Sequence, residues 1–273
     1  MLKRIISAIV ALGILIFVLI QNNQLVFNIA VTILSVIALW EFYGAVRKKG
    51  LKPISFVGYI SALALIGIGY ISKDILIMIV LLMLPFLLFI SFCTSILTNI
   101  KYNIFDIAIT LTGVLYVTYL FSFICYTKVM PYGDYLIWFI FGGAWMTDTF
   151  AYFIGMAIGK HKFSQISPKK SIEGCIGGLI GCVAFYLIYA YFLNNNIEGL
   201  EINYILAGCL GFVVSIVSQI GDFAASSIKR FCEIKDYSEI MPGHGGILDR
   251  FDSILLISPL VYACLTLLNM GIL

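Results

Sequence analysis

The apolar positions of this chain come in long blocks rather than in alternation. Nine runs, at about 5–20, 25–46, 54–71, 75–97, 105–126, 135–158, 172–193, 202–220 and 251–272, are nearly free of charge. Each is about 16 to 24 residues long, and about 20 helical residues cross a hydrocarbon layer of about 30 Å. Such blocks predict membrane-spanning helices, because a helix satisfies its own backbone hydrogen bonds where water is absent. The expected fold is therefore all-α, a polytopic membrane helical bundle of about nine transmembrane helices. It is expected to form one integral-membrane domain over 1–273, with the N-terminal spans over 1–130 and the catalytic spans and cytoplasmic loops over 131–273. The first run follows Lys3 and Arg4, and no small-residue cleavage pattern follows it. It is expected to remain as an uncleaved span.

The polar positions between the blocks give an orientation. With a cytoplasmic N-terminus, fifteen of the seventeen lysines and arginines fall on the cytoplasmic side, and only Lys73 and Lys128 fall outside. That bias is the positive-inside pattern. It predicts a cytoplasmic N-terminus, an external C-terminus, and a cell-membrane protein whose polar loops face the cytoplasm.

One stretch breaks the apolar pattern more than any other. Residues 221–253 read GDFAASSIKRFCEIKDYSEIMPGHGGILDRFDS, with six acids, four bases and one of the two histidines of the chain. The whole chain is 62% hydrophobic and 11% charged. Its mean hydropathy is +1.05, well above that of a soluble domain, which is near half apolar. Charges beside membrane spans are costly and mark function. The net charge of +3, with bases not gathered on one solvated face, carries no nucleic-acid signal. The seven cysteines include no CxxC pair and are expected to act as small hydrophobes, without a disulfide framework or zinc site.

Within this stretch, Asp222, Ser226, Lys229 and Arg230 are spaced to share one face if the helix of 202–220 continues through them. A carboxylate, a hydroxyl and two cations on one face suit a metal-bound phosphate. In Pro242-Gly243-His244-Gly245-Gly246 the glycines permit close backbone approach, and backbone N–H groups of such a turn are expected to cradle an anion. Asp249 and Asp252 open the last run one turn apart. A second polar segment holds Ser167-Pro168-Lys169-Lys170-Ser171-Ile172-Glu173-Gly174. Asp148 lies well inside a run, where an unpaired charge costs about 2.5–3.5 kcal/mol on insertion scales. Glu41 and Asp106, near run ends, are expected to be interfacial. Hard carboxylates without soft ligands favour Mg²⁺ or Mn²⁺, and nearby bases favour phosphate. Together they point to metal-assisted phosphoryl or nucleotidyl transfer. Each feature has a plainer alternative: helix caps for Asp249 and Asp252, headgroup anchors for Lys169 and Lys170, a turn residue for His244.

The pattern Ser226-x-Ile228-Lys229-Arg230, Lys235-Asp236, Pro242-x-His244-Gly245-Gly246-x-x-Asp249-Arg250-x-Asp252 resembles the signature of the phosphatidate cytidylyltransferase family. The Ser167–Gly174 segment is similar to a second motif of that family. Ser238 and Met241 depart mildly, at uncharged positions. The resemblance implies transfer of the cytidylyl group of CTP to phosphatidic acid, giving CDP-diacylglycerol and pyrophosphate, with Mg²⁺, a second cation such as K⁺, and a homodimer. It implies metal binding by Asp222 and Asp249, with Asp148 and Asp252 in or near the same shell. It implies phosphate binding by Lys169, Lys170, Lys229 and Arg230, with Ser226 on metal or phosphate. Lys235, Asp236, His244, Gly245, Gly246 and Arg250 are expected on the nucleotide side. A CTP-dependent polyprenol or lipid kinase would use the same charges but release CDP. A transporter would spread charge through several spans near the midplane, whereas here only Asp148 is deep in a run.

Overall fold

The computed structural model describes residues 2–162, 170–241, 243 and 245–269, with residues 2–8, 73, 74, 76, 77, 80 and 269 by backbone alone. Among the described residues the chain is helical, and its only β pairings are two isolated bridges, Lys162 with Ser171 and Met241 with Gly245. The chain forms two compact units. The first comprises 1–129 with 229–250, the second 130–228 with 251–273.

In the first unit α1 is Leu2–Leu19, α2 Gln24–Arg47 and α3 Ser55–Leu63, which tightens into a 3₁₀ turn over Ala64–Gly67. Then come α4, Lys73–Leu97, and α5, Ile104–Gly113, which passes through a π-helical stretch, Val114–Tyr119, into α6, Leu120–Val129. Asn23 caps α2 by accepting from the N–H groups of Leu25 and Val26. Asn103 and Asp106 form a reciprocal capping box at α5, which satisfies two orphan donors of the first turn. Asp106 also accepts from the Lys52 N–H at 2.6 Å. It is 2% exposed and ties a loop to a helix start. The core of this unit includes Phe27, Phe42, Tyr43 and Phe121. The Tyr43 hydroxyl donates to the Thr110 carbonyl at 2.9 Å, which fixes the end of α2 that carries Glu41.

In the second unit α7 is Gly133–Leu136, α8 Trp138–Ile158, α9 Ile172–Asn196, α10 Tyr204–Phe231 and α11 Leu248–Asn269. The last turn of α10 and the first of α11 are counted with the first unit. Helices α8 and α9 pack backbone to backbone. A Cβ on Gly178 would stand 2.7 Å from the Thr147 carbonyl oxygen. Small residues allow this approach where helices meet without a hydrophobic driving force. Gly221 serves α10 likewise: a Cβ there would lie 2.8 Å from the Asp252 carbonyl oxygen of α11.

Among the described residues, five helices are long and apolar enough to cross a membrane: Gln24–Arg47, Ile104–Val129, Ile172–Asn196, Tyr204–Phe231 and Leu248–Leu268. With its apolar side chains so widely exposed, the chain is an integral membrane protein. The other predicted runs fall on α1, α3, α4 and α8.

Candidate active site

The expected continuation of the 202–220 helix through Arg230 is present, since α10 runs to Phe231. In the first unit its end is built as a Schellman motif. The Ile234 N–H donates to the Lys229 carbonyl at 3.0 Å and the Glu233 N–H to the Arg230 carbonyl at 3.1 Å. Glu233 has φ 56°, the left-handed position usually given to glycine. This stop fixes the backbone of Lys229. Its Nζ donates to Asp249 Oδ1 at 2.6 Å and lies 5.6 Å from the centre of the Tyr237 ring. Asp249 Oδ2 accepts from the N–H groups of Tyr237 at 2.9 Å and Gly246 at 3.0 Å. Only 3% of the Asp249 side chain is exposed. A buried ion pair is tolerated when extra hydrogen bonds satisfy the remaining lone pairs, as here.

The glycine turn closes with the Met241 N–H donating to the Gly245 carbonyl at 3.0 Å. Gly245 has φ 83°, and a Cβ on it would come within 2.9 Å of Asp249 Oδ2. The Ile247 N–H donates to Glu41 Oε1 at 2.9 Å and the Leu248 N–H to Oε2 at 2.7 Å. The Ser238 hydroxyl donates to the same carboxylate at 2.5 Å. Glu41 is 1% exposed, buried within the protein. The sequence signal was available: an acid inside an apolar run, the argument already applied to Asp148. Of the glycine turn expected to cradle an anion, the Gly246 N–H is given to Asp249, and the next two N–H groups along the chain are given to Glu41. On the exposed side, Lys49 donates to Glu233 at 2.6 Å. That hydrogen bond and charge hold the Glu233 carboxyl below its usual range. Arg230, Lys235, Asp236 and Arg250 are exposed.

In the second unit Lys170 pairs with Asp222, and its Nζ lies 4.6 Å from the centre of the Phe223 ring. Both partners are partly accessible, at 24% and 29%. Ser171 caps α9 by accepting from the Gly174 N–H at 3.1 Å. Glu173 accepts from the ring of His161 at 2.7 Å, and the Ile172 N–H donates to the His161 carbonyl at 2.9 Å. The ends of the basic loop are thereby tied together. Asp252 is 7% exposed and its Oδ1 accepts from the Ser253 N–H at 2.8 Å. Asp148 is exposed at the middle of α8, and Ser226 is partly buried on α10. Lys169 and His244 lie outside the described residues. Among the described residues no three histidine, cysteine or acidic side chains gather closely enough to hold a metal between them.

The first unit thus holds the nearly buried Lys229–Asp249 pair and the second the partly accessible Lys170–Asp222 pair, in a helical membrane protein. The family model of the cytidylyltransferase family matches residues 2–268. Phosphatidate cytidylyltransferases of Staphylococcus haemolyticus (strain JCSC1435) and Staphylococcus aureus (strain COL) are each 36% identical to the chain, across 94% of it and 96% of their own length. One from Staphylococcus epidermidis (strain ATCC 12228 / FDA PCI 1200) is 35% identical over the same shares. The chain belongs to the cytidylyltransferase family.

Proposed function

We propose that the protein transfers the cytidylyl group of CTP to phosphatidic acid, giving CDP-diacylglycerol and pyrophosphate. The observation that carries this reading is the 36% identity to phosphatidate cytidylyltransferases across 94% of the chain. In the proposed step a phosphate oxygen of phosphatidic acid bonds to the α-phosphorus of CTP, and the bond to the departing pyrophosphate breaks. The nucleophile is already an anion, so the difficulty is bringing two anions together. Positioning and charge neutralisation answer it. Lys170 and Lys229 supply cations whose present partners are Asp222 and Asp249; in the proposal each lysine turns to phosphate when substrate arrives. Arg230 and Lys169 are proposed to assist, with Lys235, Asp236, His244 and Arg250 on the nucleotide side.

Mg²⁺ is the proposed cofactor, and a second cation such as K⁺ belongs to the same proposal. Mg²⁺ is commonly held by one or two carboxylates, with waters and substrate phosphates completing its shell, so the donor set fits without a three-residue cage. In the second unit Asp222 and Asp252 are the proposed carboxylates, with Asp148; in the first it is Asp249. The ion would neutralise phosphate charge. The reading also takes nine spans, a cytoplasmic N-terminus, charged segments on the cytoplasmic face of the cell membrane, and a homodimer.

The test is purified protein in detergent with phosphatidic acid, radiolabelled CTP and Mg²⁺, with and without chelator. Equal amounts of lipid-soluble cytidine label and pyrophosphate, both lost with chelator, are expected. Release of CDP without label in the lipid would replace this reading with a lipid kinase.

A further inference from the structure

The two residues before helix α11, Gly246 and Ile247, carry no side-chain oxygen that could cap its first N–H groups. Its start follows Gly246-Ile247, and the residues usually found there are serine, threonine, aspartate or asparagine. The capping oxygens come instead from Glu41 on α2, 206 and 207 residues away in sequence. Burying a carboxylate to do this is costly unless it is fully bonded. Glu41 is fully bonded: two N–H groups and the Ser238 hydroxyl converge on it. The positive end of the helix dipole adds to their attraction. Space has also been left for it, since a Cβ on Gly246 would overlap the Glu41 carboxylate. The neighbouring donor, the Gly246 N–H, goes to Asp249. The two carboxylates thus hold consecutive backbone amides of one turn.

We infer that Glu41 is a positioning residue of the transfer site: it fixes the first turn of α11 and, through that turn, the carboxylate of Asp249 and the lysine bonded to it. The inference rests on the proposed transferase activity. It assigns a role in that activity to an acid on the second helix, outside both charged segments of the sequence. Glu41 itself does not touch the reacting atoms in this assignment. Its loss would let the turn drift, and a drift of about 1 Å at a reacting group lowers a rate by as much as about a hundredfold.

The experiment compares wild type, Glu41→Gln, Glu41→Ala and Ser238→Ala in detergent. Transfer is measured at varied CTP and phosphatidic acid, and amide hydrogen exchange is followed over 245–250. Glu41→Gln is expected to lower kcat about tenfold to a hundredfold, with KM for both substrates within about threefold. Exchange at Ile247 and Leu248 should rise while the rest of the unit keeps its protection. Ser238→Ala, which removes one donor of three, should show the same split at a smaller size. A Glu41→Gln enzyme with wild-type kcat overturns the inference. So does a pure KM effect, unchanged exchange at the turn, or exchange that rises uniformly, as a purely structural role would give. If Glu41→Ala fails to fold, Glu41→Gln and Ser238→Ala carry the test. If wild type transfers no cytidylyl group, the proposed function fails, and unchanged exchange at the turn would separately remove the Glu41 contact itself.

Discussion

Asp249 accepts from an ammonium and two backbone amides while almost wholly buried. Replacing it with asparagine keeps the shape and removes the charge facing Lys229. Asp249→Asn is expected to lower cytidylyl transfer by at least about a hundredfold, the scale set by losing one preorganised electrostatic group. Membrane insertion should be intact, as alkaline extraction would show. Full activity in this variant would remove Asp249 from the site. Gly246→Ala probes the same turn sterically, because the added methyl would meet the Glu41 carboxylate. Overpacking of this kind costs about 1–3 kcal/mol. A lowered melting temperature in detergent is the expected result, and an unchanged one would mean the turn relaxes freely.

At the scale of elements, α10 ends on a left-handed glutamate, Glu233. A non-glycine residue there costs roughly 1–2 kcal/mol, of which glycine's extra chain entropy would return about 0.5–1. Glu233→Gly is therefore expected to raise the thermal midpoint modestly and leave transfer unchanged. A fall would show that the exposed pair with Lys49 outweighs the backbone strain. Between α8 and α9 the opposite change is informative. Gly178→Leu would force the Thr147 carbonyl away and is expected to abolish recovery of folded protein by size exclusion. The helices themselves were legible because apolar blocks and charged breaks differ so sharply in composition. The lysine–aspartate pairings were not, since the charged residues were visible but their partners depend on which turns meet. Glu41 was visible as an acid in an apolar run, but its role was not: two of its donors are the backbone N–H groups of Ile247 and Leu248, and a backbone amide leaves no mark in a sequence. Gly246 carried a hint, but the gap it leaves is filled by a side chain from far upstream.

For the whole molecule, the proposed nine spans with a cytoplasmic N-terminus put the two ends of the bundle on opposite sides of the membrane. A reporter that works only outside the cell should be active when fused after residue 269, and one that works only in the cytoplasm should be active at the loop near Lys48. The reverse pattern would invert the proposed placement of the charged segments.

The bond between Glu41 and the start of α11 also sets a schedule for synthesis. The acid leaves the ribosome 206 residues before the first of its backbone donors, Ile247. At about 5–20 residues per second it waits roughly 10–40 s. During that interval the nascent chain holds an acid in an apolar helix with its final donors not yet made. A chain stopped before residue 247 would stay in that condition. Such truncated products are expected to be cleared by membrane quality control, which makes arrival of the last helix the event that completes the first unit.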